Sequence, residues 1–129
     1  MAPEDWINSY RDLLVWQKSM ALAKQVYSLT RSFPDDERFG LISQMRRAAV
    51  SVPSNIAEGQ ARQGRKEFVQ FLSHAEGSLA ELDTQLALSR ELGYGKESDA
   101  HQCLPMIAEL QKMVDSLRRK IETRLATNH

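Results

Sequence analysis

The sequence predicts an all-α protein, an antiparallel up-down-up-down four-helix bundle whose second helix is kinked at Pro53, and three observations carry that prediction. Apolar residues recur at alternating steps of three and four in four separate segments, the period of a helix face. No stretch alternates apolar and polar residues as a half-buried strand would. The connections are short, and short links force consecutive helices to run antiparallel. Spacing near a heptad favours left-handed packing at about 20°.

The first helix is expected from about Tyr10 to Arg31. Ser9 to Asp12 matches the S-x-x-[DE] capping pattern, and Leu13, Trp16, Met20, Ala23, Tyr27 and Thr30 follow at steps of three and four, a first apolar row. Val15, Leu22, Val26, Leu29 and Phe33 make a second apolar row, more than one face of a small bundle would hide. Phe33-Pro34-Asp35-Asp36 breaks this helix, and the acidic residues suit the positive end of the next. The second helix, about Asp36 to Arg62, presents Ile42, Met45, Ala49, Val52 and Ile56 to the core. Beside them, Gln44, Ala48, Ser51 and Asn55 form a small, polar row suited to close backbone approach. Pro53 has no N–H for the carbonyl of Ala49, a cost of about 3 kcal/mol in an ordinary helix interior.

Gly64 caps the third helix, with Glu67 placed to reach back. Phe68, Leu72, Ala75, Leu79, Leu82 and Leu86 form its stripe, and Gly93 is the natural left-handed residue at its end. The fourth helix carries Cys103, Ile107, Leu110, Val114, Leu117 and Ile121 and ends near Arg124; Pro105 either kinks it or marks where its regular part begins. Residues 10–125 thus form the bundle, preceded by an N-terminal extension (1–9) expected to be flexible and followed by a disordered tail (126–129).

With 129 residues, 42% hydrophobic and 26% charged, the chain is one soluble domain with a single core. Its formal net charge is zero, so no global field draws it to nucleic acid or an anionic membrane. The charges are uneven: residues 1–66 carry ten Lys/Arg and seven Asp/Glu, residues 67–129 seven and ten. Cys103 is the single cysteine, which excludes an intrachain disulfide and fits a reducing compartment. No apolar run approaches the roughly 20 residues of a membrane span. The acidic N-terminus lacks the features of a signal peptide, so a cytoplasmic location is expected.

Chemistry is sparse. A di-iron bundle would need Glu-x-x-His, but Phe71 precedes His74 and Ser98 precedes His101 by three. No closed ligand set exists elsewhere, so no metal and no cofactor are expected. Cys103 reads as a small buried apolar residue. The sequence holds no G-x-S-x-G, P-loop or G-x-G-x-x-G. Ser51, Pro53, Asn55, Glu58 and Gly59 cluster on the second helix, read as a polar network that shapes the kink and an interface. A catalytic pocket near Arg47, Asn55 and Glu58 is the alternative, disfavoured because no histidine or paired carboxylate joins it. Arg46, Arg47, Arg62, Arg65 and Lys66 are candidates for phosphate contact, as are Arg118, Arg119, Lys120 and Arg124. A solvated face is the default for such runs, and Arg47 is alternatively placed to pair with Glu58. No exposed aromatic is evident for stacking on bases. The excess apolar surface of the first helix, the small-residue row of the second, and Trp6, Ile7 and Trp16 together point to self-association.

Five motifs in order, Tyr10-x-x-Leu13-x-Val15-Trp16-Gln17, Phe33-Pro34-x-x-Glu37-x-x-Gly40-Leu41, Gln44-x-Arg46-Arg47-Ala48-Ala49, Asn55-Ile56-Ala57-Glu58-Gly59 and Gly77-Ser78-Leu79-x-Glu81-Leu82, resemble a known family. It is the bacterial four-helix-bundle family often encoded inside intervening sequences of 23S ribosomal RNA genes. The resemblance runs from about Tyr10 to Ile121. It implies a homopentameric ring with no established enzymatic activity. A related branch is the basic accessory protein of diversity-generating retroelements, which works with a reverse transcriptase and RNA; this chain departs from it in being neutral. The expected function is a non-enzymatic oligomeric scaffold presenting basic residues to RNA or an RNA-handling protein. A protein-interaction ring without nucleic acid is the alternative, and an enzyme the least favoured reading.

Overall fold

The computed structural model describes residues 10–127; the Ser9 cap, the 1–9 extension and residues 128–129 lie outside the described residues. A 3-10 turn at Tyr10–Asp12 leads into α1, Leu14–Thr30. A second, Asp35–Glu37, leads into α2, Leu41–Ala61, which is followed by α3, Arg65–Glu91, and α4, Glu97–Thr127. Each helix packs on its two neighbours, α1 closing against α4, and the closest association is between α2 and α3. Among the described residues there is no strand.

The helix ends differ from the sequence expectation for local reasons. α1 begins at Leu14 rather than near Tyr10, because Leu13 N–H bonds back to Tyr10 O at 3.0 Å and closes a turn first. α2 begins at Leu41 rather than Asp36, since Glu37 caps it from outside: its Oε1 accepts Leu41 N–H at 3.0 Å. Gly40 makes room for that carboxylate, as a Cβ there would stand 2.6 Å from Glu37 Oε1. At the far end of α3, Gly93 is left-handed as expected (φ +75°). Gly93 N–H reaches Arg90 O at 3.0 Å and Tyr94 N–H reaches Ser89 O at 2.9 Å, the Schellman pairing that satisfies the last carbonyls. α4 continues to Thr127, so Ala126 and Thr127 belong to the helix rather than to a tail.

Both prolines lie inside helices. Pro105 sits two turns into α4 with its exposed face outward, and the carbonyl it deprives belongs to exposed His101, where water is available. Pro53 is buried in a helix that continues through it to Ala61.

The core is built from Leu22, Val26 and Leu29 of α1, Met45, Val52 and Ile56 of α2, Leu72, Leu79 and Leu82 of α3, and Ile107, Leu110 and Val114 of α4. The stripes expected for α2, α3 and α4 therefore face inward, with Ile42, Phe68 and Leu117 half-buried at their margins. In α1 both rows contribute to the core. The second row, Val15 to Phe33, is wholly buried, whereas of the first Ala23 and Thr30 are buried, Leu13 and Trp16 pack half-buried against the core, and Met20 and Tyr27 are 39% and 40% exposed. Ser19 and Thr30 join the buried row because their hydroxyls are satisfied within the helix, on Trp16 O at 2.7 Å and Val26 O at 2.8 Å.

Candidate interaction face between α1 and α2

The small-residue row of α2 meets α3 through its middle, while Gln44 at its start is exposed. Ala48 is buried, and Ser51 Oγ lies 2.7 Å from Ser78 Oγ, so the two helices meet through hydroxyls. Asn55 donates to Ser51 O at 2.8 Å and to Ser51 Oγ at 2.9 Å, tying the row together. One turn on, a Cβ on Gly59 would stand 2.7 Å from Phe71 Cβ and 3.0 Å from Phe68 Cδ1. The polar network expected around Pro53 is thus present, but it braces α2 against α3. The donors of Asn55 go to Ser51, not to the carbonyl of Ala49 that Pro53 leaves without its usual partner.

Glu58 pairs with Arg62 at 3.0 Å, one helical turn away, and not with Arg47. In the pocket considered for Arg47, Asn55 and Glu58, Glu58 is thus engaged by Arg62 and Asn55 by Ser51, and neither bonds Arg47. No group of three or more His, Cys, Asp or Glu able to hold a metal occurs among the described residues. Cys103 is buried, and burial pushes its thiol up to about 11, far from a nucleophile's range.

The basic candidates separate into engaged and free side chains. Arg46 Nε donates to Thr30 Oγ1 at 2.8 Å, its Nη2 reaches Tyr27 O at 3.5 Å, and its guanidinium lies over the Tyr27 ring at 4.5 Å. It therefore caps the negative end of α1. Arg62 is held by Glu58 and packs on the Phe71 ring at 5.4 Å. Arg118 is the hub of a network with Glu76, Asp115 and Glu122, and Arg119 shares Asp115 at 3.0 Å. Arg47, Arg65 and Lys66 are exposed. The two predicted clusters do not merge: Arg46 and Arg62 stand about 24 Å apart along α2 at a rise of 1.5 Å per residue.

What Arg46 and Arg47 do join is a set of residues on α1. Between the two helices runs a groove of about 620 Å³, floored by Trp16, Met20, Tyr27, Val50 and Pro53 and edged by Lys24 and Arg31. A second depression of about 530 Å³ continues it past Tyr27 and Val50 to Arg46 and Arg47. Among the described residues, neither is lined by an Asp or Glu. Sequence reasoning missed Lys24 and Arg31, which sit seven apart on α1 and so share a face, one turn either side of Tyr27. It also found no exposed aromatic, whereas Tyr27, 40% exposed, and half-buried Trp16 supply aromatic surface here. Further apolar side chains are open elsewhere: Phe39 at 90%, Leu14 at 56%, Leu92 at 50% and Leu88 at 48%.

No helix among the described residues is long and apolar enough to cross a membrane. The fold is similar to a crystal structure from Bacteroides thetaiotaomicron, described as a protein of unknown function from the S23 ribosomal protein family. The likeness has a TM-score of 0.72 at 22% identity and covers 81% of this chain and 98% of that one. Among curated proteins there is no significant match. Residues 11–116 match the family described as 23S rRNA-intervening sequence protein, spanning all of α1, α2 and α3 and most of α4, and the chain belongs to that family.

Proposed function

We propose that this protein is a non-enzymatic scaffold that assembles as a ring of identical copies, five by the family resemblance, and offers the α1/α2 face to RNA. The observation that carries the reading is the composition of that face. Aromatic and aliphatic side chains form its floor, Lys24, Arg31, Arg46 and Arg47 stand along its edges, and none of the described residues lining it is a carboxylate. Cations without carboxylates attract phosphate, and the part of Tyr27 that Arg46 leaves open adds a surface on which a base can stack. This moves the contact surface from the set Arg46, Arg47, Arg62, Arg65 and Lys66 to one face of two helices. Arg65 and Lys66 remain as a separate cationic point at the α2–α3 link.

Self-association is supported by open apolar side chains on unlike parts of the surface, Leu14 on α1 and Leu88 and Leu92 at the end of α3. Unlike patches favour a head-to-tail contact, which makes a ring when its rotation closes and an open filament when it does not.

Binding to a structured RNA across a range of salt tests the RNA contact. Affinity should fall log-linearly with salt with a slope of about −3, as three to four phosphates neutralised by these cations would give. No binding at low salt, or binding unchanged by Lys24→Ala with Arg47→Ala, would overturn it. Light scattering at micromolar concentration tests the assembly, which a monomeric mass would refute.

A further inference from the structure

We infer that copies of this protein join head to tail, the acidic, leucine-bearing outer face of α3 on one copy seating in the basic, apolar depression between α1 and α4 on the next. This rests on the self-association proposed above and names its two surfaces. RNA binding does not enter.

The receiving side is a depression of about 420 Å³. Exposed Leu14 of α1 and half-buried Met113 and Leu117 of α4 form its apolar part. Lys112 and Lys120 line it too, about 12 Å apart along α4, so that two ammoniums bracket Met113 and Leu117. None of the described residues lining it is an Asp or Glu.

The inserting side lies on α3. Glu81, Leu88, Glu91 and Leu92 share one helix face, and all four are exposed. The two carboxylates stand about 15 Å apart along the axis, with Leu88 between them and Leu92 beside Glu91. Each surface thus holds large open apolar side chains between two charges of one sign, and the two spacings agree within the reach of Lys and Glu side chains.

These four charges are unused within the chain. None of the described residues forms an ion pair with Lys112, Lys120, Glu81 or Glu91. Elsewhere on the same helices, Glu76, Asp115 and Glu122 are held by Arg118, and Glu109 by Lys18. Nor can the two surfaces meet within one molecule. α3 packs on α2 and α4 and lies diagonally across from α1, with its outer face turned away from the α1/α4 depression. A second copy can supply the acidic face, and since every copy carries both surfaces, the contact repeats from one to the next. The α1/α2 groove is also cationic and apolar, but Leu14, the most open apolar side chain described on α1, lines the α1/α4 depression instead.

Charge reversal with rescue tests the pairing, read by light scattering at low salt as the protein concentration at which the assembly dissociates. Lys112→Glu with Lys120→Glu should raise that concentration about tenfold or more, and Glu81→Lys with Glu91→Lys should do the same. All four substitutions in one chain should return it to within about threefold of the wild type, because both surfaces are then reversed together. Lys112→Ala with Lys120→Ala should give a smaller rise, and Leu88→Ser a rise that salt does not alter. Lys24→Glu with Arg47→Glu, in the α1/α2 groove, should change nothing. All these side chains are exposed, so circular dichroism should show the helices intact. Unchanged dissociation on either reversal, no recovery in the fourfold variant, or dissociation governed by Lys24 and Arg47 would overturn the pairing while the oligomer stands. A wild type that is monomeric throughout would overturn the self-association reading and the pairing with it.

Discussion

Glu37 and Tyr94, 57 residues apart, are joined by a hydrogen bond from the Tyr94 hydroxyl to Glu37 Oε2 at 3.1 Å. The other oxygen of the same carboxylate caps α2 through Leu41 N–H. One side chain thus fastens the start of α2 to the α3–α4 link, where the Tyr94 ring also meets Phe33 at 5.6 Å. The motif Phe33-Pro34-x-x-Glu37-x-x-Gly40-Leu41 is this joint.

Removing the joint should weaken the fold locally. Glu37→Ala is expected to cost about 1–2 kcal/mol, the scale of a lost helix cap plus a hydrogen bond, and Tyr94→Phe less, since it removes the hydrogen bond and leaves the cap. The two losses should not add, because they share one bond. Hydrogen bonding to Glu37 first, then desolvation and the charges of Glu37 and Asp36, raises the Tyr94 pKa above its ordinary 10.0. A raised pKa on an acid means the fold prefers the neutral phenol. Its contribution is complete below pH 10.0 and is lost as pH climbs through the higher folded value. Urea melts of the wild type and Tyr94→Phe should therefore differ at neutral pH and converge in strong alkali. A constant difference would contradict the assignment.

Gly59 and Gly77 make opposite predictions from the same substitution. Gly59→Ala drives a Cβ to 2.7 Å from Phe71 Cβ at the α2–α3 contact, whereas a Cβ on Gly77 meets nothing within 4 Å. Gly59→Ala should destabilise by about 1–3 kcal/mol through overpacking. Gly77→Ala, in the interior of α3, should stabilise by about 0.5–1 kcal/mol through helix propensity. Denaturant midpoints with unchanged m-values would check both.

Arg46 and Arg47 are adjacent, but their alanine variants should fail in different assays. Arg46→Ala removes the cap on α1 and the cover on Tyr27, so a stability loss of about 1–2 kcal/mol is expected with weaker RNA binding. Arg47→Ala removes only an exposed cation and should leave stability within about 0.5 kcal/mol while lowering the salt slope by about 1. A double substitution would confound the two effects. Thermal melts beside salt-dependent binding separate them.

Cys103 should behave as a reporter of unfolding. Its thiol is buried and held protonated up to about 11, so alkylating reagents at neutral pH should not reach it in the native fold. Modification should follow the urea unfolding curve measured by circular dichroism. Rapid alkylation in the absence of denaturant would show an opening that the packing of α4 does not suggest.

Much of the architecture was legible because helix periodicity is a local property. The stripes of α2, α3 and α4 lie inward as their spacing indicated, and the Gly93 stop is where a left-handed residue was expected. The ends were less legible, since Glu37 caps α2 from four residues outside it and is recognisable only once Leu41 N–H is in place. The candidate face was half legible. Arg46 and Arg47 are conspicuous as a pair, but Lys24 and Arg31 are isolated cations in sequence. They join the pair because antiparallel packing lays α1 beside α2.

The sequence by itself determined that there would be four amphipathic helices, where each would turn back, and that α1 had more apolar surface than one bundle face can use. Those properties follow from residue spacing, the conformational freedom of Gly and the fixed φ of Pro, and the solvation of charged side chains, none of which needs a neighbour. Only the tertiary structure decided which of the two α1 rows would be wholly buried, whether Glu58 would choose Arg62 over Arg47, and which cations would remain free. Two rows of similar hydrophobicity on one helix differ little in isolation, and the choice between them falls to the shape of the surfaces that α2 and α4 present.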